Sequence, residues 1–234
     1  TSYCKFGFEV PSTYKEAMEL DQKNGNTLWD DAVKAELSQI DDYQTFKDLG
    51  KAQFQGKDIV NAPPGHKRIR VHLIFDVKHD GRHKARLVAD GHLTHLPTET
   101  VYSSVVSLRS LRIVTFLNEL NKMQLWGADI GNAYLEAYTS EKIYIIGGSE
   151  FQDRQGHILV INRALYGLRS SGRQWHERLS ECMKHMNFFP CKLDTDVWIR
   201  ASKCKTCYEY VAVYVDDLLI SMKDPASFCQ SLKE

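Results

Sequence analysis

Apolar residues recur along this chain at two periods. Trp29, Val33, Leu37 and Ile40 share one helical face, and Thr27-Leu28-Trp29-Asp30 ahead of them has the pattern of a capping box, so a helix opens near Asn26. Asn61-Ala62-Pro63-Pro64-Gly65 is loop chemistry. Beyond it Ile69, Val71, Leu73, Phe75 and Val77 alternate strictly, with Arg68, Arg70, His72 and Lys78 among their opposite-face neighbours. That pattern predicts a half-buried strand with a basic outer face. Asp80-Gly81 turns the chain, and Lys84 to Ala89 reads as the returning strand of a hairpin.

Helical spacing resumes from about Ser107 to Lys122, where Leu108, Leu111, Val114, Leu117 and Leu120 form an expected core stripe. A strand at 124–130, a short helical turn and a strand at 142–146 follow. A second long helix is expected from about Gly172 to Met186, with Trp175, Leu179, Met183 and Met186 as its stripe; such a stripe reads as core. Strands are expected at 197–200, 208–214 and 218–222, then a helix start at 226–234 after Asp224-Pro225. Helices and mostly antiparallel strands interleave without a βαβ rhythm, which is the α+β class.

Composition adds exclusions. With 234 residues, 43% hydrophobic and 26% charged, the chain is neither collagen, coiled coil nor mostly disordered. Thirty basic side chains balance thirty acidic ones, which excludes a uniformly basic coat but not a local one. Residues 1–50 carry ten acidic and five basic side chains, whereas residues 51–95 carry nine basic and four acidic. The second segment is therefore either an anion-binding surface or a solvated, highly charged sheet edge. The absence of a long apolar run and of a charged start before an apolar core leads us to expect neither a membrane span nor a secretory signal. Six scattered cysteines suit a reducing intracellular compartment. Cys204-Lys205-Thr206-Cys207 lacks two further close ligands, so hairpin-turn thiols are the default over zinc.

The carboxylates are where chemistry can sit. Tyr214-Val215-Asp216-Asp217 lies between two strongly apolar strand-like segments, which puts both aspartates at a tight turn. Adjacent acids repel each other unless a cation or a raised pKa relieves them. A bland turn is one reading; a divalent ion is the other, since hard Mg²⁺ takes one or two carboxylates plus phosphate oxygens and waters. Asp129, at the end of the expected strand 124–130, can share such ions with Asp216 if that strand pairs beside the hairpin.

These motifs carry a resemblance. The Tyr214-Val215-Asp216-Asp217 box, the upstream Asp129-x-x-x-Ala133-Tyr134 pattern and the Leu165-Tyr166-Gly167-Leu168-Arg169 segment together resemble the reverse transcriptase domain of copia-type long-terminal-repeat retrotransposons. Trp29, Ala32 and Glu36 look like the family's opening helix, Lys84 to Val88 like its fingers strand, and Leu165 to Trp175 like its LYGLKQAPRAW block. Gly172 stands where Pro is usual, and Asp90 where Lys is common.

The resemblance implies an RNA-directed DNA polymerase: a nucleotidyltransferase joining a primer 3′-OH to the α-phosphate of a dNTP with two Mg²⁺ ions, or Mn²⁺ in their place. Its implied fold is the fingers and palm of a right-handed polymerase, with fingers over about 26–105, palm over about 106–234, residues 147–175 near the template–nucleotide pocket, and 1–25 as an extension or linker. Asp129, Asp216 and Asp217 would be catalytic and would hold the ions together with the carbonyl of Ile130. Tyr134 would be the steric gate against ribonucleotides, and Lys78 with Arg86 (or Lys84, two residues away) would contact the triphosphate. Arg169, Arg173, Tyr214 and Val215 would face template and primer. Expected partners are an RNA or DNA template with primer, dNTPs, and integrase and ribonuclease H domains of one polyprotein in a cytoplasmic virus-like particle, with no membrane. Only a short segment follows Asp217, too little for a helical thumb, so we expect a thumbless fragment of weak activity. The alternatives are a folded but inactive nucleic-acid-binding relic and another palm-type nucleotidyl enzyme.

Overall fold

The computed structural model describes residues 3–93, 104–203 and 205–232. In chain order the elements begin with β1 (Tyr3–Lys5), β2 (Phe8–Val10), α1 (Tyr14–Asn24), α2 (Leu28–Asp42), β3 (Phe46–Lys51), β4 (Phe54–Gln55) and β5 (Asp58–Ile59). Next come β6 (Lys67–Arg68), β7 (Val71–Val77), β8 (His83–Ala89), α3 (Leu108–Leu120), β9 (Gln124–Asp129), β10 (Ile143–Ile146) and β11 (His157–Ile161). The chain continues through α4 (Ser171–His185), β12 (Phe189–Pro190), β13 (Val197–Ala201), β14 (Tyr208–Tyr214), β15 (Asp217–Met222) and α5 (Pro225–Ser231). The described residues divide into two compact units: the segment up to 93 with 134–171, and 104–133 with 172–232. No helix among them is long and apolar enough to cross a membrane.

In the first unit, α2 buries Trp29, Val33, Leu37 and Ile40, the stripe read from the sequence. They join Leu73, Phe75 and Val77 of β7 and Ala85, Leu87 and Ala89 of β8 in one core. The β7–β8 hairpin pairs in register from Val71↔Ala89 to Val77↔His83. The capping box does not form: the Thr27 hydroxyl donates to Asp31, and the buried Asp21 carboxylate of α1 accepts from Trp29 N at 3.1 Å and Asp30 N at 2.9 Å. An anion from a neighbouring helix thus does the capping, favoured by the positive end of the α2 dipole. Residues 1–25, expected as an extension or linker, instead supply Val10, Ala17 and Leu20 to this core within their described part.

A four-stranded sheet, β3-β11-β10-β6, completes the first unit. Its β6–β10 pair is parallel and the others antiparallel. The sequence reading missed β11 because Ile158-Leu159-Val160-Ile161 is buried on both faces and shows no alternation. Residues 134–171, which fall inside the segment 106–234 read from the resemblance as palm, pack with the N-terminal segment, and β11 pairs with β3.

The second unit is a five-stranded antiparallel sheet in the order β12-β13-β14-β15-β9. α3 covers part of it, capped by the Ser107 hydroxyl, which accepts from Ser110 N at 3.2 Å. The expected stripe on α3 is a correction. Val114 and Asn118 are the buried positions, whereas Leu108 and Leu120 are 63% and 66% exposed. Asn118 sets the rotation: its amide donates to Met123 O and its Oδ1 accepts from the buried Ser221 hydroxyl of β15. Apolar residues surround this helix on nearly every side, so periodicity alone cannot choose the face that satisfies Asn118. α4 buries Trp175, Leu179 and Met183 as expected, and Met186 lies half-buried just past its end.

Candidate functional site

Asp129, Asp216 and Asp217 all lie at one end of the second unit's sheet. β15 and β9 pair so that Asp217 faces Asp129 directly, and Tyr214 faces Asp217 across the hairpin. Directly opposed antiparallel residues share a face, so Asp129, Asp217 and Tyr214 rise from one side of the sheet. The register partner of Asp129 is thus Asp217, while Asp216 sits in the turn and its carbonyl accepts from Ile130 N at 2.9 Å. An open groove of about 560 Å³ borders Asp129, Asp217 and Tyr214, with Leu111, Gly127 and Ala212 among its lining. A side chain at Gly127 would point into open space, so the glycine keeps this floor low.

The turn itself is strained. Val215 has φ of 59°, a left-handed conformation that a β-branched residue rarely adopts. Positive φ at the first central residue alone is the pattern of a type II′ turn, where glycine is usual. Hydrogen bonds hold it from two sides: the Trp175 indole N–H donates to Val215 O at 2.8 Å, and Ile130 N to Asp216 O. Next to Trp175, His176 Nε2 lies 2.8 Å from the buried Asp196 carboxylate, and the Asp196 carbonyl accepts from Val213 N. The Asp196 hydrogen bond raises the His176 pKa above the ordinary imidazole value, against an opposing push from burial.

In the first unit, the Arg86 guanidinium lies 4.5 Å from the Tyr166 ring centroid, and Tyr166 meets the Tyr134 ring edge-on at 4.7 Å. Arg86 and Tyr134, far apart in sequence, are joined through a residue the sequence reading passed over as a motif member. Lys78 is exposed at the hairpin tip, where its N–H bonds Arg82 O; Lys84 faces Asp76 across the ladder. Arg169 donates to the carbonyls of Gly91 and His92 at 3.0 and 3.1 Å, stapling the loop after β8. The backbones there touch: a Cβ on Gly167, whose φ is +90°, would lie 2.1 Å from Ala89 O, and Ala89 N bonds Tyr166 O. Along the outer edge of β8, the Glu36 carboxylate accepts from Leu87 N at 2.9 Å, and burial pushes its pKa up. Arg173, in the second unit, pairs with Glu177 along α4.

The donor set at the sheet end fits a hard cation. Among the described residues no ion pair neutralises Asp129, Asp216 or Asp217, although the Lys and Arg side chains elsewhere find many acidic partners. Uncompensated carboxylates on one rim, two of them facing each other, are the ligand type Mg²⁺ takes. In the geometry of the chain by itself, no three His, Cys, Asp or Glu side chains of the described residues are gathered closely enough to enclose an ion. Cys204 lies outside the described residues; Cys207 is a free thiol beside the Ser202 hydroxyl.

An acidic hairpin turn beside a facing aspartate, on an antiparallel sheet, defines a class. Residues 54–234 match the family model described as reverse transcriptase (RNA-dependent DNA polymerase), and the chain belongs to that family. It is similar to the Retrovirus-related Pol polyprotein from transposon TNT 1-94 of Nicotiana tabacum, at 26% identity over 92% of this chain and 16% of the relative. It is also similar to those from transposons RE1 and RE2 of Arabidopsis thaliana, at 32% and 29% identity over 72% and 69% of this chain and 12% of each relative. The chain therefore spans less than a sixth of the length of each of these curated relatives. The resemblance read from the motifs to a retrotransposon reverse transcriptase is borne out.

Proposed function

We propose that this chain is the fingers and palm of an RNA-directed DNA polymerase from a retrotransposon Pol polyprotein, adding dNTPs to a primer 3′-OH. The single observation that carries the reading is the strained Tyr214–Asp217 turn aligned with Asp129, its carboxylates in no ion pair among the described residues. In this reading the second unit is the palm, and the first unit, including residues 134–171, is the fingers. Asp129, Asp216 and Asp217 hold the divalent ions, with the Ile130 carbonyl as a further ligand. Those ions, when bound, lower the pKa of the 3′-OH and neutralise the triphosphate and leaving pyrophosphate.

The chain's own residues supply the rest. Lys78 and Arg86 hold the triphosphate with fixed positive charge, Arg86 steadied by the Tyr166 ring. Tyr134, braced by the same ring, occupies the space a ribose 2′-OH needs. Tyr214, Val215 and Arg173 face the primer–template, where backbone contacts position and base pairing specifies. Arg169 acts by holding the 91–92 loop. Template, primer and the remaining Pol domains are the partners, in the cytoplasm.

The test is primer extension on poly(rA)·oligo(dT) with Mg²⁺. Asp216→Asn keeps the side-chain volume and removes a charge, so incorporation falls to background while circular dichroism stays native. Extension at near wild-type rate would sink the mechanism. Tyr134→Ala raises ribonucleotide use relative to deoxyribonucleotide use in paired competition; an unchanged ratio returns Tyr134 to a packing role.

A further inference from the structure

The catalytic turn is held by α4 at two consecutive residues. Trp175, 4% exposed, reaches the Val215 carbonyl through its indole N–H at 2.8 Å. His176 grips Asp196, whose carbonyl in turn accepts from Val213 N. The helix stripe that includes Trp175 accounts for burial of its ring but not for the direction of its N–H. That donor ends on the one residue of the turn with a left-handed φ, and such a conformation persists only where its surroundings over-determine it. Ile130 N secures the next carbonyl, Asp216 O. Without the indole, the half-buried Val215 carbonyl loses its partner and the peptide plane preceding Asp216 is free to rotate.

We infer that Trp175 is a positioning residue for the polymerase reaction: its indole N–H locks the Val215 peptide so that Asp216 and Asp217 present their carboxylates in ion-binding geometry. This rests on the reading of those aspartates as the metal-holding groups. Trp175 touches no reacting atom, so its removal lowers turnover and ion affinity rather than nucleotide recognition, which is assigned to the other unit.

The experiment uses the full chain with Trp175→Phe, which keeps an apolar ring and deletes the donor. Single-nucleotide incorporation is measured across Mg²⁺ and dNTP concentrations, and Mn²⁺ binding is followed by electron paramagnetic resonance without substrate. We expect kcat to fall about tenfold, the scale of one buried hydrogen bond left unmade, with KM for dNTP little changed and Mn²⁺ affinity lowered. In a Val215→Gly background the turn is adopted without strain, so the same Trp175→Phe change costs less in kcat; additive effects on kcat mean that the indole does not act through the turn. Unchanged kcat and Mn²⁺ affinity, or strict additivity, overturns the inference. Asp216→Asn is run alongside: if it still incorporates nucleotide and binds Mn²⁺, the metal reading itself has failed instead. Should Trp175→Phe not fold, the indole resonance of wild-type Trp175 decides, since perturbation on adding Mg²⁺ supports the tether and an unmoved resonance overturns it.

Discussion

Two hairpins in this molecule place aspartate at the turn and solve the turn differently. At Asp80-Gly81 the positive φ of 82° falls on glycine, the Asp80 carboxylate is neutralised by Arg82 at 2.6 Å, and the turn closes with its own backbone bonds. At Val215-Asp216 the positive φ falls on valine, no ion pair among the described residues neutralises the acids, and hydrogen bonds from Trp175 and Ile130 hold the shape. The first turn is stable from local chemistry. The second leans on the surrounding unit, which supplies the donors that hold it.

The contrast can be broken most strongly at the glycine. Gly81→Val places a β-branched side chain at φ of 82° in otherwise ordinary space, its nearest contact being Phe8 at 3.8 Å. It should destabilise the chain by about 1–2 kcal/mol through backbone strain alone, seen as a lower urea midpoint. A neutral result would mean that this turn is not locally determined. The reverse change, Val215→Gly, should raise stability by about 0.5–1 kcal/mol, since relief of strain outweighs the entropy of glycine. A loss of stability would show that the valine side chain contributes packing the backbone argument leaves out.

The smallest expected effect sharpens the contrast through pH. His176 has its pKa raised in the folded chain by Asp196, so this pair contributes fully below the unfolded value of about 6.5. The contribution is lost as pH rises through the higher folded value. Melting midpoints measured from pH 6 upward should therefore fall more in wild type than in His176→Gln. Equal slopes would remove His176 from the support of the Tyr214–Asp217 hairpin.

Much of this was legible in the sequence. The α2 stripe, the 71–77 alternation, the Asp80-Gly81 turn and the Tyr208–Tyr214 strand depend on local periodicity and turn chemistry, and the structure has them where the pattern puts them. The acidic box was visible for the same reason: two apolar strands leave two aspartates nowhere but a turn. Other features had no local signal. Asp21 capping α2, Glu36 closing the edge of β8 and Tyr166 bridging Arg86 to Tyr134 all join residues whose separation only folding removes.

The sequence by itself therefore determined the amphipathic helix α2, the alternating strands, the placing of two aspartates at a hairpin turn, and which family the motifs resemble. Tertiary structure decided register and rotation. It made Asp217 rather than Asp216 the partner of Asp129, turned α3 so that Asn118 meets Ser221 and Leu108 faces solvent, and set the Trp175 indole against Val215. The Asp129–Asp217 pairing follows from strand register, and the other two share one physical reason. Periodicity specifies that a face exists, but which polar group on it is satisfied depends on the donor or acceptor that another element brings, and buried polar groups must find one.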